Sequence, residues 1–426
     1  MRSERRQFLT SALAAGGTLW GGRRIAADEI VAKAESEKLF RSVSTENLKA
    51  IAAAPVLDLG RDPGEIKIRS VEVLKSPRDY LVRVRATDGT EGIAAGSGNR
   101  LDDLYPFLVN RVAPFFVGKD AAALESLLVE LYRHGSNYKY QGLALWCSVA
   151  VVEMAILDLL GKVSGRSFGQ LFGGIVRTEV PVYRASGNRG NRAEEEVDYL
   201  ASLLDETGGD AVKFRLGGRM SQNVDSLPGR SEALIRLARE RLGDRVTLYA
   251  DANSSYDVPN SIRVGRLMED YEYEFFEEPC PFDHLWETKE VADALDIPVA
   301  GGEQEFSERR FIWTIANHGV DVVQPDLHYY GGFIRSIKVA RMAEAANLPC
   351  TPHMSGAGLG YLYVVHFASC VKDPGAHQEY KGRSAIPMTS STSSLVCEEG
   401  KITVPTGPGL GVEIDSDFLK GCEVIG

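Results

Sequence analysis

The sequence predicts an α/β protein, a parallel eight-stranded barrel preceded by a smaller α+β unit. Two observations carry that expectation. Between residues 180 and 380, eight short apolar runs recur with helical segments between them, the alternation of βα units closing on themselves. Before residue 178 the pattern differs: a stretch of strict apolar/polar alternation comes first, and helical periodicity follows.

Taken in order, residues 1–27 lie outside the fold reasoning. "SERRQFLTSALAAGGTLWGG" carries the pair Arg5 and Arg6, a Gly/Ala-rich run, then Arg23 and Arg24 before "IAAD". This resembles a twin-arginine export signal cut near Ala27, which implies an exported, periplasmic protein delivered already folded, with a cytoplasmic location as the alternative. Residues 28–60 read as a charged helical arm. "EIKIRSVEVLKSPRDYLVRVRATDGTEGIAAGSG" (65–98) alternates around a "TDGTEG" turn, which predicts antiparallel strands. "DAAALESLLVELYRHG" (120–135) reads as helical, and "ALWCSVAVVEMAILDLLGKVSG" (144–165) is apolar on most faces and so predicts a buried helix. Residues 28–178 thus form an arm and an α+β unit.

The eight runs are "VPVYRAS" (180–186), "AVKFRLG" (211–217), "VTLYADA" (246–252), "YEFFEEP" (273–279), "IPVAGGE" (297–303), "VDVVQPD" (320–326), "LPCTPHM" (348–354) and "AHQEY" (376–380). Segments such as "SEALIRLARERLG" and "SIKVARMAEAAN" supply the helices between them, giving a barrel over 179–380. Residues 381–426 are rich in Ser, Gly and Pro and are expected to return to the first unit.

Totals narrow the function. A net charge of −11 argues against a nucleic-acid partner. No run of about 18 uninterrupted apolar residues is present, so no transmembrane helix is expected. The six cysteines (147, 280, 350, 370, 397 and 422) are scattered without a CxxC pair and read as packed thiols.

Active groups of such a barrel sit at the C-terminal ends of its strands. There the runs carry Lys213 and Arg215, Asp251, Glu277, Glu303, Asp326, His353 and Glu379. Asp251, Glu277 and Glu303 are spaced 26 residues apart, one strand–helix unit each, which predicts three carboxylates on adjacent strands at one height. Converging carboxylates repel unless a cation joins them, and an all-oxygen set selects Mg²⁺, with Mn²⁺ as the alternative ion. Asp326 and His353 follow 27 residues apart; a carboxylate beside a histidine fixes its tautomer and raises its basicity. Strand periodicity puts Lys213 and Arg215 on one face, on the far side of the metal. His328 and Tyr330, in "PDLHYYGG", either contact substrate or simply pack. A hard cation, flanking cations and a histidine base suit abstraction of a proton beside a carboxylate, because metal and lysine offset the charge of the resulting enediolate.

The series "KFR" (213–215), "YADAN" (249–253), "FFEEP" (275–279), "GGEQ" (301–304), "PDLHYYGG" (325–332), "TPHM" (351–354) and Glu379 resembles the mandelate racemase subgroup of the enolase superfamily, in the mandelate racemase/muconate lactonizing enzyme family. The resemblance covers nearly everything after residue 60. It implies a modified (β/α)7β TIM barrel under an α+β capping domain. It further implies Mg²⁺ on Asp251, Glu277 and Glu303, a base dyad of His353 with Asp326, and Glu379 contacting the substrate's carboxylate or its enediolate. A homo-oligomer is also implied.

One departure matters. Members that work from both faces show Lys-x-Lys, and here the second lysine is Arg215. A guanidinium is a poor base but a good fork for a carboxylate or hydroxyl. The reading is therefore a Mg²⁺-dependent acid-sugar dehydratase acting on a small carboxylate. A racemase or epimerase of a 2-hydroxy acid or amino-acid derivative is the alternative, and a non-catalytic acid-binding protein is an alternative of another class. Loops 94–100 and 135–142 either read substrate hydroxyls through their tyrosines and asparagine or only close the site against water.

Overall fold

The computed structural model describes residues 43–354 and 358–426. The export-type signal and residues 28–42 of the arm fall outside them. After a helix at Thr45–Ala53, three antiparallel strands form the N-terminal sheet: β1 (Ile68–Lys75), β2 (Tyr80–Ala86) and β3 (Glu91–Ala95). Central pairs such as Val73 and Val82 sit directly opposite, and both are buried. The tail returns to this sheet, where Val424 pairs antiparallel with Leu74 of β1.

Helix Leu143–Ser164 packs under the sheet, and β3 runs so close that a Cβ on Gly92 would stand 2.0 Å from the Ala155 carbonyl. The helix is long and apolar enough to cross a membrane, yet 89% of its most apolar window is buried in this fold. It ends on Gly165 in the left-handed region, as helix termini commonly do. Its one buried glutamate, Glu153, accepts the backbone N–H groups of Phe333 and Ile334 at 2.9 and 2.8 Å, and so caps a barrel helix, Phe333–Ala345. Gly332 makes room for it, since a Cβ there would stand 2.2 Å from Glu153 Oε2.

The barrel strands are β4 (Glu179–Ala185), β5 (Ala211–Arg215), β6 (Thr247–Asp251), β7 (Phe275–Glu277), β8 (Val299–Gly301), β9 (Val322–Val323) and β10 (Gln378–Tyr380). Neighbours pair in parallel, and β10 closes the ring on β4. The run at 348–354 joins by isolated parallel bridges, Val323 with Cys350 and Asp326 with His353, rather than by a continuous ladder. Pro349 and Pro352 explain this, because neither has an N–H to give. The hairpin Cys397–Glu398 and Lys401–Thr403 adds an antiparallel edge to β4, so the tail serves both the barrel and the N-terminal sheet.

Period-two alternation sorts each strand. Val212, Phe214 and Leu216 face outward into one core with the helices, together with Leu248, Ala250 and Phe276. Ala211, Tyr249, Phe275, Tyr183 and Ala300 fill the interior as a separate cluster. Lys213, Arg215, Asp251 and Glu277 continue that inward face toward the C-terminal mouth. All six cysteines are free thiols, four of them buried.

Candidate active site

Register sets the first part of the site. Arg215 pairs with Asp251 across β5 and β6, and Asp251 with Glu277 across β6 and β7. Glu277, however, pairs with Ala300, so Glu303 lies three residues beyond the expected height, in the turn after β8. Gly302, at φ +120°, supplies the backbone bend that brings it back. The three carboxylates end buried, with ligand oxygens within 4.8 Å of one another. Glu277 Oε1 and Glu303 Oε2 have no aligned hydrogen-bond donor. Three buried carboxylates, two of them with an oxygen that has no hydrogen-bond partner, fit a divalent cation of the Mg²⁺ class.

Each carboxylate also meets a basic side chain. Lys213 Nζ lies 2.7 Å from Glu277, Arg215 pairs with Asp251, and His353 Nε2 lies 3.2 Å from Glu303 Oε2. Burial alone would push the Lys213 ammonium down, but Glu277 and Glu379 outweigh it and hold the group above its usual value. Burial works upward on Glu303, and is outweighed by His353, Arg215 and Lys213.

The dyad is formed. His353 Nδ1 lies 2.6 Å from Asp326 Oδ2, while Asp326 Oδ1 accepts the N–H groups of His328 and Tyr329, both at 2.7 Å. That arrangement assigns the ring proton to Nδ1 and leaves Nε2 facing Glu303 and, at 3.5 Å, Glu379. Burial lowers the imidazole's affinity for a second proton; Glu303, Glu379 and the bond to Asp326 reverse the balance and raise it.

Glu379, the middle residue of β10, sits among cations: Lys381 at 3.1 Å, Lys213 at 3.3 Å and Arg215 at 3.9 Å. Burial raises it, but Lys213, Lys381 and His353 hold it well below the ordinary carboxylate range. Lys213, Arg215, Asp251, Glu277, Glu303, Asp326, His353 and Glu379 thus converge on one buried cluster.

Other residues were not singled out by the sequence. Asn253 donates to Asp251 Oδ2 at 3.0 Å and to Glu278 Oε2 at 3.3 Å. Its own oxygen accepts from Arg189 and Arg219. Glu278 is buried, and burial together with Glu303 and Glu277 pushes its carboxyl well up. Lys381 also ties to the Met354 carbonyl at 2.9 Å. "YADAN" did contain Asn253, but only the fold shows that its amide bridges a ligand carboxylate and two arginines.

Tyr330 packs edge-on against Phe311 beneath the Arg335 guanidinium, and His328 packs against Tyr363. Of the two loops singled out in the sequence, 94–100 reaches the barrel, where Arg100 Nε donates to Tyr329 Oη at 3.0 Å. In 135–142, Asn137 is occupied by the Leu131 carbonyl and Arg111, and Tyr140 packs against Phe107.

Residues 61–173 match the mandelate racemase/muconate lactonizing enzyme N-terminal domain, and 195–418 match the enolase C-terminal domain-like model. A D-galactonate dehydratase from Xanthomonas euvesicatoria pv. vesicatoria is 29% identical over 359 residues, covering 81% of this chain and 91% of the relative. A protein from Roseobacter denitrificans described as a candidate racemase superposes with a TM-score of 0.78 at 33% identity, over 84% of this chain and 98% of its own. A mandelate racemase/muconate lactonizing protein from Paracoccus denitrificans PD1222, solved with magnesium, gives 0.76 at 30%, over 84% and 99%.

Proposed function

The chain belongs to the mandelate racemase/muconate lactonizing enzyme family of the enolase superfamily, and from that premise we propose that it is a Mg²⁺-dependent acid-sugar dehydratase. The observation that carries the reading is asymmetry. One histidine stands oriented by Asp326, and the position for a second base holds Arg215, a guanidinium and so a poor base. The dehydratase among its relatives supports the same reaction class.

Asp251, Glu277 and Glu303 would hold the ion, which supplies a fixed positive charge and Lewis acidity beside the substrate carboxylate. His353 Nε2 takes the proton α to that carboxylate while Asp326 holds Nδ1–H. Lys213, fixed between Glu277 and Glu379, offsets the negative charge that develops on the enediolate. Arg215 forks onto a carboxylate or hydroxyl on the opposite face. The proton on His353 then leaves with the β-hydroxyl as water, and the enol ketonises to a 2-keto-3-deoxy acid.

The test is a panel of sugar acids with Mg²⁺, read as 2-keto acid by semicarbazide absorbance. Keto acid from at least one member is expected; none from any would sink the proposal. The candidate racemase among the structural relatives favours a second reading, epimerisation, and exchange of the α-proton with deuterated solvent without net dehydration would establish it. The proposal extends to export on a twin-arginine route, supported by Arg5 and Arg6, and to a homo-oligomeric enzyme. Fractionation of cells and sedimentation velocity test these two points.

A further inference from the structure

Beside the carboxylate triad, three guanidinium groups from separate places in the chain meet one neutral oxygen. Arg189, in the loop after β4, donates to Asn253 Oδ1; Arg219, in the loop after β5, does so at 3.3 Å; Arg215 Nη1 lies 3.5 Å from the same atom. An amide oxygen has two lone pairs and no net charge, so it cannot balance three cations. Arg215 has Asp251 and Glu379 for that purpose. Among the described residues, Arg189 and Arg219 have no carboxylate in ion-pair contact.

The surplus is visible in the field around Arg189. Burial, then Arg215, Arg219 and Arg230, push it down to about 9, while Glu303 works the other way. The Nε atoms of Arg189 and Arg215 are buried with no acceptor. The cluster is built at some conformational cost. Asn253, Ser254 and Arg219 all have positive φ, at 40°, 63° and 60°, a region that non-glycine residues seldom occupy without a local demand. Arg189 is half-buried and Arg219 exposed at the mouth, so a ligand can reach both.

We propose that Arg189 and Arg219, with Arg215, form a subsite for a second anionic group, so that the preferred substrate is a sugar acid charged at both ends. This rests on the acid-sugar reading above and deepens it. Asn253 is bonded to Asp251, so the cluster lies one side chain from the triad, beside the place where the substrate's first carboxylate would bind. The shared chemistry is a tetrahedral or planar oxyanion that a guanidinium grips with two N–H groups, either a terminal carboxylate or a phosphate ester.

The experiment is calorimetric titration in Mg²⁺ buffer of the His353→Asn enzyme, which does not consume ligand. Each hexonate is compared with the hexarate of the same configuration and with its 6-phosphate. At least one doubly charged ligand should bind about ten- to a hundredfold tighter than its monoacid, the worth of one or two charge-assisted contacts. Adding Arg189→Gln should cut that ratio by about tenfold or more. Arg219→Gln, at an exposed position, should cut it too. A gain confined to hexarates identifies a carboxylate, and one confined to phosphates identifies a phosphate ester. Ratios near one, or ratios unmoved by both substitutions, overturn the subsite. Binding is read apart from turnover: a panel giving no keto acid would sink the dehydratase and leave this ratio interpretable, whereas equal ratios would sink the subsite and leave dehydration standing.

Discussion

Asp326→Asn isolates the orientation of the base from its presence. In the native site Oδ1 is held by two backbone N–H groups at 2.7 Å, and Oδ2 accepts from His353 Nδ1 at 2.6 Å. An asparagine can keep its oxygen on the two N–H groups, which turns its NH2 toward the imidazole. The reverse orientation would leave those two buried donors facing an NH2, at about 1–3 kcal/mol each, or roughly 2–6 kcal/mol together. The first orientation therefore dominates by at least about thirtyfold. It forces Nδ1 to accept and moves the proton to Nε2, the atom that must be free to take one. In a Ser-His-Asp triad the same exchange of aspartate for asparagine, with its wrong tautomer, costs on the order of 10⁴ in kcat. A fall of about 10³–10⁴ is expected here, with KM little changed. Keto-acid formation and α-proton exchange in deuterated solvent should fall together. Activity within about tenfold of the native enzyme would refute the assignment.

Three further outcomes follow from the same geometry. Lys213→Met leaves Glu277 and Glu379 buried without their ammonium, and should lower stability by about 3–5 kcal/mol in metal-free protein, with a smaller loss in Mg²⁺; an unchanged urea midpoint would contradict it. Mg²⁺ at about a hundred times its dissociation constant should add about 2.7 kcal/mol to stability, and Asp251→Asn should remove most of that gain; melting insensitive to Mg²⁺ in the native chain would speak against the ion site. Burial holds the Glu153 carboxyl up at about 8, despite two backbone donors, so the folded protein binds its proton more tightly than the unfolded chain does. The associated stability is fully present below about pH 4.3 and declines up to about pH 8, by roughly 1.4 kcal/mol per unit. Measured as native minus Glu153→Gln, the stability difference should fall across that window; a flat difference would count against it.

How far the sequence reached depended on whether position along a strand controlled position in space. Asp251 and Glu277 sit on paired strands, so 26-residue spacing placed them together. The same spacing misplaced Glu303 by three residues, because the strand order says nothing of the bend at Gly302. Alternation put Lys213 and Arg215 on one face, but that this face is the inner one, and that their partners are Glu277 and Asp251, depended on barrel closure and side-chain reach. Glu278 shows the limit most clearly. Beside Glu277 it should point out of the barrel, yet its left-handed backbone, φ 42°, brings it against Asn253. Arg189 and Arg219 lie in loops without periodicity, and no pattern in the chain announces that the two meet at one oxygen. The run at 348–354 was legible as a strand position, while its two prolines set how little of a ladder it could form.

The contact between Glu153 and the start of helix Phe333–Ala345 has a consequence for anyone rebuilding this scaffold. That helix begins just after "PDLHYYGG", so the segment carrying Asp326 is moored to the N-terminal module by the Glu153 carboxyl group and an absent side chain at Gly332. Domain shuffling among relatives is therefore constrained at two positions that are not among the charged residues of the site. A transplanted N-terminal module lacking an acid at 153, or a recipient barrel with a bulkier residue at 332, would inherit a misaligned dyad even with every ligand and base residue intact. Compatibility of donor and recipient can be screened on those two positions before any specificity loop is redesigned.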